Sequence, residues 1–352
     1  MEHMTFGRRC GLRVSAYALG TVNFGTSWGG GTERAEARKI FDRFAEAGGT
    51  FIDTADCYNN GEAETLLGEF LGARRDQFAL SSKYSYGTGP DAGVQTTGNS
   101  RANMIRSVEA SLRRLNTGHI DLYWVHFPDT ITPVDEIVAA LDDLVRAGKI
   151  RYAGLSNFAA WQVSRAATLA ELRGWSPMAG IQTEYSLIER TADRELLPMA
   201  DALGLGVAQW GPLGGGLLTG KYRHSSAGRL TDWDGRIMRT ESDSRRTAIV
   251  DEVLAVADET GAAPAQVAVA WLNARARRAG TAHIPVIGPR TAAQLEGYLA
   301  ALDLTLSDEH LERLDAVSAV PLGSPHEIVH ASRGALLGGD PARFRSAAPQ
   351  IP

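Results

Sequence analysis

A carboxylate and a phenol lie five positions apart in Asp53-Thr54-Ala55-Asp56-Cys57-Tyr58, just past the apolar run Phe51-Ile52. Lys83 closes a second apolar run at 78–82, and His126 closes a third at 120–125. Each residue alone has an ordinary reading. The Asp can cap a turn, the Lys can sit in solvent, the Tyr can cover a rim and the His can be a satisfied core residue. Together they make a proton-delivery device. An ammonium beside a phenol favours the phenolate and is expected to lower its pKa, a carboxylate keeps that ammonium charged, and an imidazole orients the reacting oxygen. The chemistry that fits is protonation of a carbonyl oxygen as it becomes an alkoxide, with phenolate as the base in reverse.

Such residues converge only if their strands end on one rim. Short β-type runs near 18–21, 50–53, 78–82, 120–125, 151–155, 180–183, 206–210 and 283–287 alternate with helical patterns. The helical patterns lie near 33–47, 62–71, 101–115, 134–147, 159–171, 193–203, 246–259 with 264–278, and 291–301. Eight strand–helix units predict parallel strands with right-handed crossovers, closed as a (β/α)8 TIM barrel. Residues 6–10 and 12–16, around Gly11, read as an N-terminal β-hairpin. Long loops are expected after strand three (84–100) and strand seven (211–245). An added helix is expected at 305–315, then a C-terminal extension. One domain over 1–352 is expected, with 339–352 as a mobile tail.

Composition narrows the function. A formal charge of −5 gives no basic footprint for nucleic acid. Two cysteines, Cys10 and Cys57, exclude a disulfide framework and suit a reducing compartment. Cys57, beside Tyr58, reads as a small packed residue. No apolar run approaches the ~20 residues that span a bilayer, and the start lacks a signal-peptide core. A cytoplasmic protein with no membrane or nucleic-acid partner is expected. No Gly-x-Gly-x-x-Gly unit follows a strand, so a Rossmann nucleotide site is not supported.

Several blocks carry a resemblance. They are Asp53–Tyr58 with Asn60-Gly61-Glu62-Ala63-Glu64 and Leu67-Gly68, Ser82-Lys83, Asp121-Leu122-Tyr123 into His126, Gly148-Lys149-Ile150-Arg151 into Gly154-Leu155-Ser156-Asn157-Phe158, and the run from Trp210 to Tyr222. In this order, over about residues 6–315, the chain resembles the aldo-keto reductase family of nicotinamide-dependent carbonyl reductases. The resemblance implies Tyr58 as general acid, Lys83 as its partner, Asp53 as the partner of Lys83, and His126 as the orienting group.

The same resemblance implies a cofactor site. Ser156, Asn157 and Gln182 would lie near the nicotinamide amide, with Trp210 on the ring. Gly211, Pro212, Leu213, Gly214 and Gly215 would approach the pyrophosphate, with Lys221 supplying charge. Gly20 and Thr21 would face the ribose. Gly288, Arg290 and Gln294 would meet the adenosine phosphate, Arg290 pairing with a 2′-phosphate and so favouring NADPH. The chain departs from the pattern at Gly211, which removes a hydroxyl, and at Gly297-Tyr298, where an acidic residue and Asn are usual. NADH therefore stays beside NADPH as a possible cofactor.

Phe24, Trp28, Tyr84, Tyr86, Phe127 and the 223–245 stretch with Trp233 are candidates to wall a substrate pocket. The expected substrate is a small-molecule aldehyde or ketone, keto-sugar nucleotides included, and the oligomeric state is left open. Two other readings stand beside this one. Some members of that family resemble channel β-subunits, in which the barrel binds cofactor and serves as a redox-sensing partner, and this chain could act in the same way. A metal-dependent barrel enzyme using His126, Asp129, Asp53 and Asp56 is the other; Lys83 beside Asp53 would repel its cation, and no metal is expected.

Overall fold

The computed structural model describes residues 1–89, 91–223 and 240–343. Trp233 and the tail from 344 lie outside them. Two short strands, β1 (His3–Thr5) and β2 (Arg13–Ser15), pair antiparallel. The hairpin exists, but its first strand precedes the expected 6–10. Phe6 is fully buried there, its N–H bonded to the Leu12 carbonyl, so the stretch between the strands plugs the barrel floor.

Eight parallel strands then close on themselves: β3 (Ala18–Gly20), β4 (Phe51–Asp53), β5 (Ala79–Tyr84), β6 (Ile120–Val125), β7 (Ile150–Ser156), β8 (Met178–Glu184), β9 (Gly206–Trp210) and β10 (His283–Ile287). β10 pairs with both β9 and β3, completing the cylinder. The expected strands are these eight, displaced by a residue or two at their ends.

Helices cover the outside: α1 (Arg34–Glu46), α2 (Glu62–Leu71), α3 (Arg101–Arg114), α4 (Val134–Arg146), α5 (Ala160–Arg173), α6 (Leu196–Leu203), α7 (Ser244–Thr260), α8 (Pro264–Arg278) and α9 (Ala292–Ala300). α10 (Asp308–Ser318) is the added helix, and α11 (His326–Leu336) occupies part of the C-terminal extension. None of the helices among the described residues is long and apolar enough to cross a membrane.

Side-chain alternation along each strand sorts residues between two cores. The outer core lies between barrel and helices and includes Phe41, Phe44, Phe70, Tyr84 and Tyr123. The inner core includes Phe6, Phe51, Leu122, Trp124, Ala208 and Ile284. Phe6 meets Phe51 and Trp124 edge-on, with ring centroids at 5.7 and 6.1 Å. Glycines opposite make that filling possible. A Cβ on Gly154 would sit 2.3 Å from the Trp124 ring, and one on Gly180 would sit 2.4 Å from Phe6. The floor is therefore packed solid, and polar groups collect at the other end, where the strands finish.

Candidate active site

Register brings the first charged pair together. Asp53 ends β4 and pairs with Ser81 of β5, and Lys83 lies two residues further along β5, on the same inward face. The Lys83 ammonium donates to Asp53 Oδ2 at 2.5 Å, to the Thr54 carbonyl at 2.8 Å and to the Tyr58 hydroxyl at 3.1 Å. Asp53 Oδ1 accepts from Ser81 Oγ at 2.7 Å and from Gln182 Nε2 at 2.9 Å. Lys83 is fully buried and Asp53 nearly so, whereas Tyr58 is partly exposed. The ion pair is thus sealed, and the phenol is its connection to the barrel mouth.

Tyr58 is delivered by a turn that no regular helix would permit. It opens a short 3-10 segment, Tyr58–Gly61, in which Asn59 and Asn60 adopt positive φ of 46° and 56°. Asparagine tolerates that region better than most residues. Asn59 anchors the turn, its amide donating to the carbonyls of Val22 (3.2 Å) and Phe24 (2.9 Å).

The electrostatics differ from expectation at Tyr58. Burial pushes the phenol up to about 12; the Lys83 ammonium pulls it down only in part, and the Asp53 carboxylate adds to the rise. The expected net lowering does not occur. Desolvation outweighs the ammonium because Asp53 already balances it, and the phenol stays protonated at neutral pH. For Lys83, burial favours the neutral amine, but Asp53 and Tyr58 together outweigh it and carry the group up to about 12.

His126 follows β6 directly. Burial, then the positive charge of Lys83, holds its imidazole well below the usual range, so it is neutral at pH 7. Its ring lies edge-on to Tyr58 with centroids 5.9 Å apart, and Nδ1 lies 3.9 Å from Cys57 Sγ. Burial pushes the Cys57 thiol up, which keeps it protonated and fits a packed role. All four sequence-singled residues therefore meet around one point.

The residues expected at the cofactor are distributed around the same mouth. Asn157, at φ +61°, donates to the His126 carbonyl at 3.0 Å and accepts from the Trp210 indole N–H at 3.0 Å. Ser156, fully buried, bonds to the Asn157 amide at 3.0 Å. After Trp210 come Gly211 at φ +73°, then Pro212 and Leu213, then Gly214, Gly215 and Gly216 at +55°, +71° and +99°. Three successive left-handed residues need glycine. They leave a bare backbone bed against which Lys221 lies, its Nζ 3.4 Å from where a Gly216 Cβ would stand. That bed and the partly exposed indole suit a pyrophosphate and a flat ring.

Gly20 touches Val286 so closely that a Cβ would come within 2.8 Å of it. Gly288 accepts from Asn23 at 3.0 Å, Gln294 caps the Arg290 N–H at 2.8 Å, and the Arg290 guanidinium donates to the Gly30 carbonyl at 2.5 Å. Two of the residues expected at the cofactor also bond to Asp53. Thr21 is fully buried and turns its hydroxyl to the Asp53 carbonyl, and Gln182 gives its amide N–H to Asp53. Gln182 thereby touches the carboxylate of the ion pair, and Thr21 holds its backbone.

Two of the pocket-wall candidates need correction. Phe24 and Tyr84 are fully buried in the outer core, Phe24 against Phe70 and Tyr84 stacked on Tyr123 with centroids at 5.4 Å. Tyr84 follows the inward Lys83 and must face outward. Trp28, Tyr86 and Phe127 do surround the mouth. Trp28 is edge-on to Tyr58 at 6.4 Å, and Tyr86 lies 5.5 Å from the His126 ring and 5.2 Å from Phe127. Asp129, considered above as a metal ligand, accepts from Asn99, Ile131 and Thr132 backbone N–H groups and the Thr132 hydroxyl. It shapes a turn. Ser81 was missed, although its place two residues before Lys83 on one strand face was a signal.

A closed parallel barrel with a cation-bridged phenol at its mouth is the architecture of an enzyme that moves protons at a carbonyl or alcohol. The chain belongs to the Aldo/keto reductase family, whose model matches residues 17–319, and it is an oxidoreductase of that family. It is 38% identical over 336 residues to an uncharacterized oxidoreductase, YrpG, of Bacillus subtilis, covering 93% of this chain and 99% of that one. It is 34% identical to norsolorinic acid reductase stcV of Emericella nidulans, covering 92% and 83%. It is 33% identical to an aryl-alcohol dehydrogenase [NADP(+)] of Phanerodontia chrysosporium, covering 95% and 92%.

Proposed function

We propose that this protein, acting as one domain, reduces an aromatic aldehyde or ketone to the alcohol with NADPH, Tyr58 giving the proton. The observation that carries the reading is the Lys83 ammonium bridging Asp53 Oδ2 and the Tyr58 hydroxyl. When bound, the nicotinamide supplies a hydride to the carbonyl carbon. Everything else is asked of the chain. Tyr58, protonated at neutral pH, donates its hydroxyl proton to the oxygen as negative charge develops there. Lys83 stabilises the phenolate left behind, and Asp53, held by Ser81 and Gln182, keeps Lys83 in place. His126 is neutral, with Cys57 Sγ 3.9 Å from Nδ1, and its Nε2–H hydrogen-bonds the substrate oxygen.

Aromatic substrates are favoured by the rim of Trp28, Tyr86 and Phe127, whose faces suit stacking, and by the name of the Phanerodontia relative. NADPH is favoured by the same name and by Arg290 at the start of the last barrel-side helix. Trp210 would cover the nicotinamide, and the 214–216 glycine bed with Lys221 would receive the pyrophosphate. The test is consumption of NADPH and NADH across a panel of aryl aldehydes, aryl ketones, aliphatic carbonyls and keto-sugar nucleotides. Turnover with the aryl members, faster with NADPH, is expected. Tight NADPH binding with no turnover on any member would replace this reading by that of a cofactor-sensing subunit.

A further inference from the structure

The loop between β5 and α3 carries Tyr86 against the His126 ring, and its two ends meet at a pair of buried polar side chains. Ser85 Oγ donates to Asn99 Oδ1 at 2.6 Å. The same oxygen accepts the backbone N–H of Phe127 at 3.4 Å and shares that of His126, at 3.2 Å, with the Tyr84 carbonyl at 2.8 Å. Asn99 completes the square, its amide donating to the Phe127 carbonyl at 2.8 Å. Asn99 is fully buried and Ser85 is 8% exposed. The loop base is closed further by Gly98 N–H to the Ser85 carbonyl (2.8 Å) and Asn99 N–H to Asp129 (2.7 Å).

Ser85 holds this place at a φ of 144°, a region that favours glycine. A non-glycine residue there needs a compensating interaction, and its hydroxyl makes three. On the far side, the His126 carbonyl is held by Asn157. The imidazole therefore hangs from a backbone segment gripped by Asn157 toward Trp210, by the Tyr84 carbonyl of β5, and by Ser85 with Asn99 toward the Tyr86 loop.

We infer that Ser85 and Asn99 are positioning residues, a hydrogen-bonded bracket that fixes the His126–Phe127 backbone and couples the Tyr86-bearing loop to the imidazole. This rests on the reading that His126 faces the reacting oxygen. Displacing a reacting group by about 1 Å costs on the order of a hundredfold in rate, so a bracket around the adjacent peptide acts on kcat. Phe127, gripped by the same pair, sets one wall of the mouth, so substrate preference follows the bracket as well.

The test uses the full-length chain with NADPH and two variants, Asn99→Ala and Ser85→Gly. The second is the more incisive, because glycine adopts the observed φ without strain and lacks only the hydroxyl. Both variants are expected to lose about tenfold to hundredfold in kcat on a carbonyl that the wild type reduces, with the Kd for NADPH, read by fluorescence, unchanged. The His126 imidazole resonance in ¹H–¹⁵N spectra should titrate at higher pH than in the wild type, because a loosened segment admits water. If Ser85→Gly folds and keeps both the wild-type kcat and the wild-type imidazole titration, the inference is overturned. Should Asn99→Ala fail to fold, Ser85→Gly decides alone. A wild type that reduces no carbonyl would sink the functional reading only, since the imidazole titration reports on the bracket without turnover.

Discussion

Two buried acid–base groups stand back to back on β5, and only one of them reaches the mouth. Lys83 faces inward to Asp53 and Tyr58. Ser82, its neighbour, faces outward, its hydroxyl 2.5 Å from Glu64 of α2, which also accepts from Arg114 of α3 at 2.7 Å. Glu64 is fully buried. Both clusters pair a carboxylate with a cation and tie it to a strand hydroxyl, so buried charge by itself does not mark an active site. What differs is the exit. The inner pair passes its field through a partly exposed phenol to the barrel mouth, and the outer pair is closed over by helices. Alternation along one strand puts chemistry on one side and cohesion on the other.

Breaking each pair should separate those roles. Lys83→Met is expected to lower kcat by at least about a thousandfold, from lost phenolate stabilisation and a misheld donor, and to destabilise the fold by leaving Asp53 uncompensated. Arg114→Met strands Glu64 and should cost about 3 kcal/mol or more in stability. At a temperature where it is folded, its kcat should stay within about threefold of wild type, as expected for a group that acts only through folding. Urea melts and steady-state kinetics on both variants decide the matter. A large kcat loss in Arg114→Met would mean that the two sides are coupled through the strand.

A smaller effect sharpens the comparison. Asp56 lies between the groups; burial, then the negative charge of Glu64, pushes its carboxyl well above the ordinary 3.8, with Arg114 opposing. The folded chain therefore holds that proton to higher pH than the unfolded chain does. The stability it contributes is therefore fully present below pH 3.8 and is lost as pH rises toward the folded value. Asp56→Asn removes that loss, so the variant should gain on the wild type in thermal melts as pH rises above the ordinary 3.8. A stability difference that does not change with pH above that value would contradict the raised Asp56 carboxyl.

The sequence exposed the inner group because its members close consecutive apolar runs, and strand ends of a parallel barrel share one rim. It concealed the outer group because Glu64 and Arg114 are fifty residues apart on two helices whose facing depends on packing. Ser82 and Ser81 were readable by alternation once β5 was placed. Tyr84 was misjudged for the same reason in reverse, since a residue after Lys83 cannot share its face. The hairpin shifted because burial of Phe6 in the barrel floor, a tertiary demand, outranks local strand pattern. Ser85 and Asn99 gave no local signal at all: their bracket joins the two ends of one loop to a second loop. The sign of the Tyr58 shift depended on how deeply the site is desolvated, which spacing does not encode.

The proposed chemistry depends on the Tyr58 phenol. Pre-steady-state mixing of Tyr58→Phe with NADPH and a reducible aryl aldehyde measures hydride transfer apart from cofactor binding. NADPH fluorescence quenching should match the wild type while the transfer rate falls by about a hundredfold to ten-thousandfold, the span of general acid catalysis. A transfer rate equal to that of the wild type would contradict it and would move the proton source away from Tyr58.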